Sequence, residues 1–167
     1  MSEFAVGDYV VYPPHGAGTV IAKEKRDGAG AGEYLSIRIL HSKMTLMVPA
    51  HIAAEKGVRE IMALDAVDDL LAILGAAGKE LAENAQHRMR GATEKAKTGE
   101  VLGLAEVIRD LHGRENDGKK LSPGEQKTLL SAKEHLASEL MYVKDISVDE
   151  ALELIEQSLA VAPEPEA

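Results

Sequence analysis

The sequence predicts an α+β protein: a small N-terminal β-barrel of the Tudor or SH3 kind, followed by a C-terminal bundle of about five helices. Two observations carry this prediction. Through residue 60, short runs of β-branched and aromatic residues are separated by Gly and Pro, the pattern of a strongly curled sheet. From about Leu64 the apolar residues recur instead at helical spacing. Hydrophobic residues at 45% and charged residues at 28% of 167 suit a folded chain. The boundaries expected are 1–60 for the β-module, 64–160 for the helical part and 161–167 for a disordered Pro/Glu-rich tail.

Strand by strand, Gly7-Asp8 opens Tyr9-Val10-Val11-Tyr12, and Pro13-Pro14-His15-Gly16 closes it. Thr19-Val20-Ile21-Ala22 is a second run, and the Gly-rich stretch from Arg26 to Gly32 reads as a hairpin tip. Tyr34 to Leu40 alternates apolar and polar residues. Met44 to Val48 is a fourth strand ended by Pro49, which cannot donate to a ladder. His51 to Glu55 is read as one helical turn and Gly57-Val58-Arg59 as a last short strand.

In the helical half, Leu64, Val67, Leu71 and Leu74 form one stripe ended by Gly75. Lys79 to Lys97 follows, with a thin face of Leu81, Ala85, Met89, Ala92 and Ala96. A helix from Glu100 turns Val101, Leu104, Val107, Ile108 and Leu111 inward and breaks at Asp117-Gly118. Ser122-Pro123-Gly124-Glu125 is a capping box with Pro at the first helical position. It opens a helix presenting Leu129, Ala132, Leu136, Leu140 and Val143. Ser147-Val148-Asp149-Glu150 repeats the box before Ala151, Leu152, Ile155 and Leu159.

Composition narrows the function. There is no Cys, which removes disulfides, thiolate metal sites and cysteine nucleophiles. The start lacks the pattern of a signal peptide and no apolar run reaches the ~20 residues of a membrane span, so a cytoplasmic chain is expected. The net charge of −9 is uneven: residues 1–60 carry seven Lys/Arg and seven Asp/Glu, and residues 61–167 twelve against twenty-one. Such an acidic half disfavours wrapping long nucleic acid, so any DNA contact is local or delivered by a partner. The six His have no metal-ligand spacing, and Asp68-Asp69 and Asp149-Glu150 are helix-start acids that suit the macrodipole. Gly28, Gly30 and Gly32 lack the following helix and Lys-Ser/Thr of a phosphate cradle. No catalytic residue, metal site or cofactor is expected, and the chain is not read as an enzyme.

Particular words then become informative. Val6-Gly7-Asp8-x-Val10-Val11-Tyr12-Pro13-x-His15-Gly16 resembles the opening of the CarD/CdnL family of bacterial RNA polymerase-binding regulators. Lys43 to Pro49 with Gly57-Val58-Arg59 resembles the end of the same module. Thr98 to Leu111 is similar to the family's central helix, and Leu121-Ser122-x-x-Glu125 to the start of the next. The matches lie in order across residues 4–158.

The resemblance implies a Tudor-like domain that pairs with the RNA polymerase β subunit. It also implies a helical domain that contacts promoter DNA at the upstream edge of the transcription bubble and stabilises the open complex. It places Arg26, Thr45 and Met47 at the polymerase contact, with Met47 standing where relatives carry an Arg. It places Ala85 where relatives carry a Trp that wedges into DNA, and His87 where they carry an Arg. Arg88, Arg90, Lys95 and Lys97, against Glu94 alone, make this segment cationic, so Ala85, His87 and those four residues are the DNA candidates. A solvated helix face is the plain alternative. A monomer is expected. Two rivals remain: a paralogue that docks on polymerase with weak or no bubble stabilisation, and a Tudor-like protein-interaction adaptor. The adaptor would need an aromatic cage, for which the first half offers only Phe4, Tyr9, Tyr12 and Tyr34.

Overall fold

A computed structural model of the chain describes residues 4–12, 15–28, 32–39, 42–78, 81 and 83–160 except 98–100, with the side chains of 96 and 97 left aside. The expected tail at 161–167, the tip residues 29–31 and the helix start at Glu100 lie outside the described residues.

Among the described residues five antiparallel strands form one curled sheet in the order β4-β3-β2-β1-β5. They are β1 (Tyr9–Tyr12), β2 (Gly16–Arg26), β3 (Gly32–Ile39), β4 (Thr45–Pro49) and β5 (Arg59–Glu60). The expected barrel is therefore open: β4 and β5 end the sheet on opposite sides and do not pair among the described residues. β2 is much longer than the Thr19–Ala22 run suggests, because Gly16, Ala17 and Gly18 pair with β1 while its far half pairs with β3. Gly18 allows this crossing: a Cβ there would sit 2.5 Å from the Arg38 carbonyl oxygen. A register shift between Val20 and Ala22 marks a bulge that bends the strand. Val10, Val20, Leu35, Ile37, Ile39 and Val48 fill the concave side. Beyond β4, where one helical turn is expected at His51 to Glu55, Ala50–Ile52 forms a 3-10 turn that continues into hydrogen-bonded turns, the Lys56 N–H donating to the Ile52 carbonyl at 2.9 Å.

Among the described residues five α-helices follow: α1 (Val67–Leu74), α2 (Ala85–Lys97), α3 (Val101–Asn116), α4 (Pro123–Lys144) and α5 (Val148–Ala160). The first expected stripe is corrected. Leu64 lies in a 3-10 turn and is 64% exposed, so the helical phase is set from Val67, and Leu70 rather than Leu71 is fully buried. α2 starts at Ala85, not at Lys79, because the Asn84 side chain caps it: Oδ1 accepts from the Gln86 N–H at 2.8 Å, and the Asn84 carbonyl takes the first helical bond from Arg88. Both predicted boxes form. The Ser122 hydroxyl accepts from the Glu125 N–H at 3.2 Å and the Glu125 carboxylate from the Ser122 N–H at 3.1 Å. Ser147 and Glu150 do the same at 3.1 and 3.3 Å. A second core, centred on Leu74, Ile108, Leu111, Leu136, Leu140 and Ile155, unites the helices.

The 22-residue α4 reaches both halves of the molecule. Its C-terminal half lies on the outer face of β1 and β2, where Ser138, Glu139 and Tyr142 contact the sheet. Its N-terminal turns pack against α2 and α3. No helix among the described residues is long and apolar enough to cross a membrane.

Candidate functional site

Two surfaces hold the residues singled out by sequence. The first is the outer face of β2, β3 and β4. Along β4 the side chains alternate: Val48 is buried in the sheet core, and Thr45 and Met47 face out. Met47 is in register with Ser36 and Thr45 with Arg38. Arg26, at the end of β2, leans over this face. Its guanidinium lies 5.2 Å from the Tyr34 ring centroid, and Nη2 is 3.1 Å from the Met47 sulfur. Arg26, Thr45 and Met47 thus share one exposed face, beside the strand that ends the sheet.

The second surface is α2, and here the expectation changes. Arg88 does not face solvent. Its side chain is 4% exposed and grips Glu125 of α4, Nε at 2.9 Å and Nη2 at 2.8 Å, while Nη1 donates to the Glu83 carbonyl. The Arg88 guanidinium, with the Ser122 cap assisting, holds the Glu125 carboxyl at about 2, well below the usual range, although burial opposes this. Hydrogen bonding to Glu125 in turn raises the Arg88 pKa, against desolvation. Arg88 is a packing residue in this structure because a buried carboxylate must be paired, so the reading of it as a phosphate contact is corrected.

Lys95, seven residues on and so on the same side of the helix, pairs with Glu106 of α3 at 2.8 Å with its side chain 41% exposed. Arg90 and His87 are exposed, and Ala85 is half-buried. Ala85, Gln86, Met89, Arg90 and Thr93 line an open groove that runs to Ser122, the cap of α4. The side chain of Lys97 lies outside the described residues. Among the described side chains the cations are divided: Arg88 is buried against Glu125 of α4, Lys95 pairs with Glu106 of α3, and Arg90 is exposed beside the groove. Composition along the chain did not reveal this split. The matching signal was Glu125, read only as half of a capping box. Among the described residues no cluster of His, Asp or Glu could hold a metal ion.

Comparison with known proteins agrees with the two-part layout. Residues 4–62 match the family model described as the CarD-like/TRCF RID domain, and residues 69–156 match that of the CarD C-terminal domain. The chain belongs to the CarD-like family of transcription factors that interact with RNA polymerase. It is also similar to a Bacillus subtilis (strain 168) protein named "Putative transcription factor YdeB", at 34% identity over 145 residues, covering 86% of this chain and 94% of that one. In this CarD-like protein the sheet is the part matched to the RID model. The α2–α4 junction lies wholly within the region matched to the C-terminal model.

Proposed function

We propose that this chain docks on the β subunit of RNA polymerase through the β4 side of its sheet and carries α2 to promoter DNA at the upstream edge of the bubble, favouring the open complex. The observation that supports docking most directly is the juxtaposition of Arg26, Thr45 and Met47 on an exposed face beside the terminal strand. A strand at a sheet end offers backbone groups for pairing with a partner strand, whatever its side chains. Arg26 adds a cation for an acidic neighbour.

Tethering explains how an acidic protein works on DNA. Polymerase supplies the effective concentration, and a weak contact then suffices to bias closed toward open promoter. The bias equals the differential affinity of the protein for the two states and no more. On α2, Arg90 and His87 are the side chains presented for such a contact.

A second reading has its own support. Arg88 is engaged by Glu125, Lys95 pairs with Glu106, and Ala85 cannot act as an apolar wedge. These favour a paralogue that docks with weak bubble stabilisation. Co-purification with the β subunit tests docking, and binding is expected; no binding at micromolar concentration overturns the proposal. Open-complex lifetime on a promoter then separates the readings. A lifetime lengthened severalfold supports the first, and an unchanged one the second.

A further inference from the structure

The two halves meet on α4, and the contact is polar and closely fitted. Glu139, with its side chain 1% exposed, accepts from Arg59 at both oxygens, 2.9 and 2.8 Å, and from the Met62 N–H at 2.6 Å. Arg59 lies in β5, paired to Val11 of β1, and Met62 lies just beyond β5, in the connection between the halves. At the preceding position, the Ser138 hydroxyl accepts from the Ala17 N–H at 3.0 Å while donating to the His135 carbonyl. Gly16 makes room for this: with φ +102 and a would-be Cβ 3.2 Å from the Ser138 hydroxyl, no side chain fits there without strain. The Tyr142 ring stacks on Tyr9 at 4.3 Å between centroids, and its hydroxyl lies 3.3 Å from that of Thr19.

The same helix carries Glu125 near its other end, where it grips Arg88 of α2. α4 is thus a shaft clamped twice by a carboxylate and a guanidinium, to the sheet at Glu139 and to α2 at Glu125. The two acids lie fourteen positions apart, which spans ~21 Å of helix at 1.5 Å per residue. A tilt of ~10° at the sheet clamp therefore moves the α2 end by roughly 4 Å, comparable to the distance over which a phosphate contact is made or lost.

We infer that Glu139 is a positioning residue: by clamping α4 to β5 and the connection after it, it fixes α2 relative to the docking sheet, so that both halves act as one rigid lever. This rests on the proposed function for its consequence at the promoter, but its geometric content does not. Breaking the clamp should leave polymerase affinity intact and weaken only what α2 does.

The chain has no Cys, so paired spin labels at Lys56→Cys in the β-module and Glu115→Cys at the end of α3 report the interdomain distance directly. Pulsed dipolar spectroscopy on the full chain should give one narrow distance distribution, broadened at least twofold by Glu139→Ala. Tyr142→Ala, which removes the stack without unpairing a buried charge, should broaden it too and decides the matter if Glu139→Ala does not fold. In unlabelled proteins, affinity for polymerase should stay within twofold while the gain in open-complex lifetime falls at least threefold. Distributions that stay narrow in both variants overturn the inference, as does a broadened distribution with an undiminished lifetime. If the unsubstituted chain itself leaves the lifetime unchanged, the proposed function fails at the promoter, and the distances alone then decide the clamp.

Discussion

Arg88 of α2 reaches across to Glu125 of α4, whose carboxylate at the same time accepts from the Ser122 N–H that begins α4. One acid therefore completes a helix cap and neutralises a neighbouring helix, and both partners are almost wholly buried. α2 buries few apolar side chains, with Ala92 inward and Met89 half-buried, so this pair and the Met89 contact near Gly124 hold it in place.

Removing Arg88 should be costly. Arg88→Ala leaves Glu125 buried without its counter-charge, a change that typically costs ~3–5 kcal/mol, a large share of the ~5–15 kcal/mol that stabilises an ordinary domain. Urea unfolding should show the midpoint falling accordingly. Replacing both, Arg88→Met with Glu125→Leu, should recover most of the loss, short of ~1 kcal/mol for the forfeited cap. A single Arg88→Ala variant as stable as the parent would mean the pair is not formed in solution.

Acid should act through the same carboxylate. Glu125 sits at about 2 in the folded chain against 4.5 for the ordinary group. A carboxyl lowered by folding contributes stability that is complete above its unfolded value and is lost as pH falls through its folded one. The loss from this residue should therefore run from about pH 4.5 down to about pH 2 and amount to on the order of 3 kcal/mol. Glu125→Gln should flatten that portion of the stability–pH curve in denaturant titrations, because the amide does not titrate. An acid limb of the same slope in Glu125→Gln would assign the loss to other carboxylates.

The sequence was most legible where one local rule acted alone. Ser122-Pro123-Gly124-Glu125 marks the start of α4 because capping chemistry is confined to four residues. Leu35, Ile37 and Ile39 belong to the sheet core because the apolar residues of β3 recur at every second position and so share one face. The failures came where two signals overlapped. Asn84 ends the preceding segment and caps α2, but it lies inside an apolar pattern running from Leu81 through Ala85, and the pattern hid it. Arg88 reads as a surface cation until a carboxylate 37 residues away is known to face it. The partly open sheet was equally hidden, since strand pairing at β4 and β5 is set by non-local register rather than by either strand's own residues. At the candidate sites, residue types pointed to chemistry, but side-chain direction decided which of them remained available.

Ala85→Trp tests where α2 sits. Ala85 lines an open groove with Gln86, Met89 and Arg90, so a larger ring has space beside an exposed cation. On the proposed reading, an indole there supplies the apolar surface that a methyl group lacks at an unstacked base step. Open-complex lifetime should lengthen severalfold, with stability changed by less than ~1 kcal/mol, because the ring enters an open groove rather than a packed core. A lifetime that does not move, with polymerase still bound, would place α2 away from the bubble edge.

Arg26 offers the cleanest test of docking because it contributes little to folding. Its contacts, the Tyr34 ring at 5.2 Å and the Met47 sulfur at 3.1 Å, are at an exposed site, and an exposed cation–π contact is worth only ~0.5–1 kcal/mol. Arg26→Glu should therefore leave the unfolding midpoint nearly unchanged. At an interface the same reversal acts differently: like charges brought together cost several kcal/mol and slow the encounter. Binding to the isolated β subunit should weaken by at least tenfold, most strongly at low salt, where screening is least. Arg26→Ala should fall between the two, since it removes the attraction without adding repulsion. Equal affinities for the three proteins across a salt series would move the docking face off β2–β3–β4, and the end-strand pairing proposed for β4 would have to be sought on β5 instead.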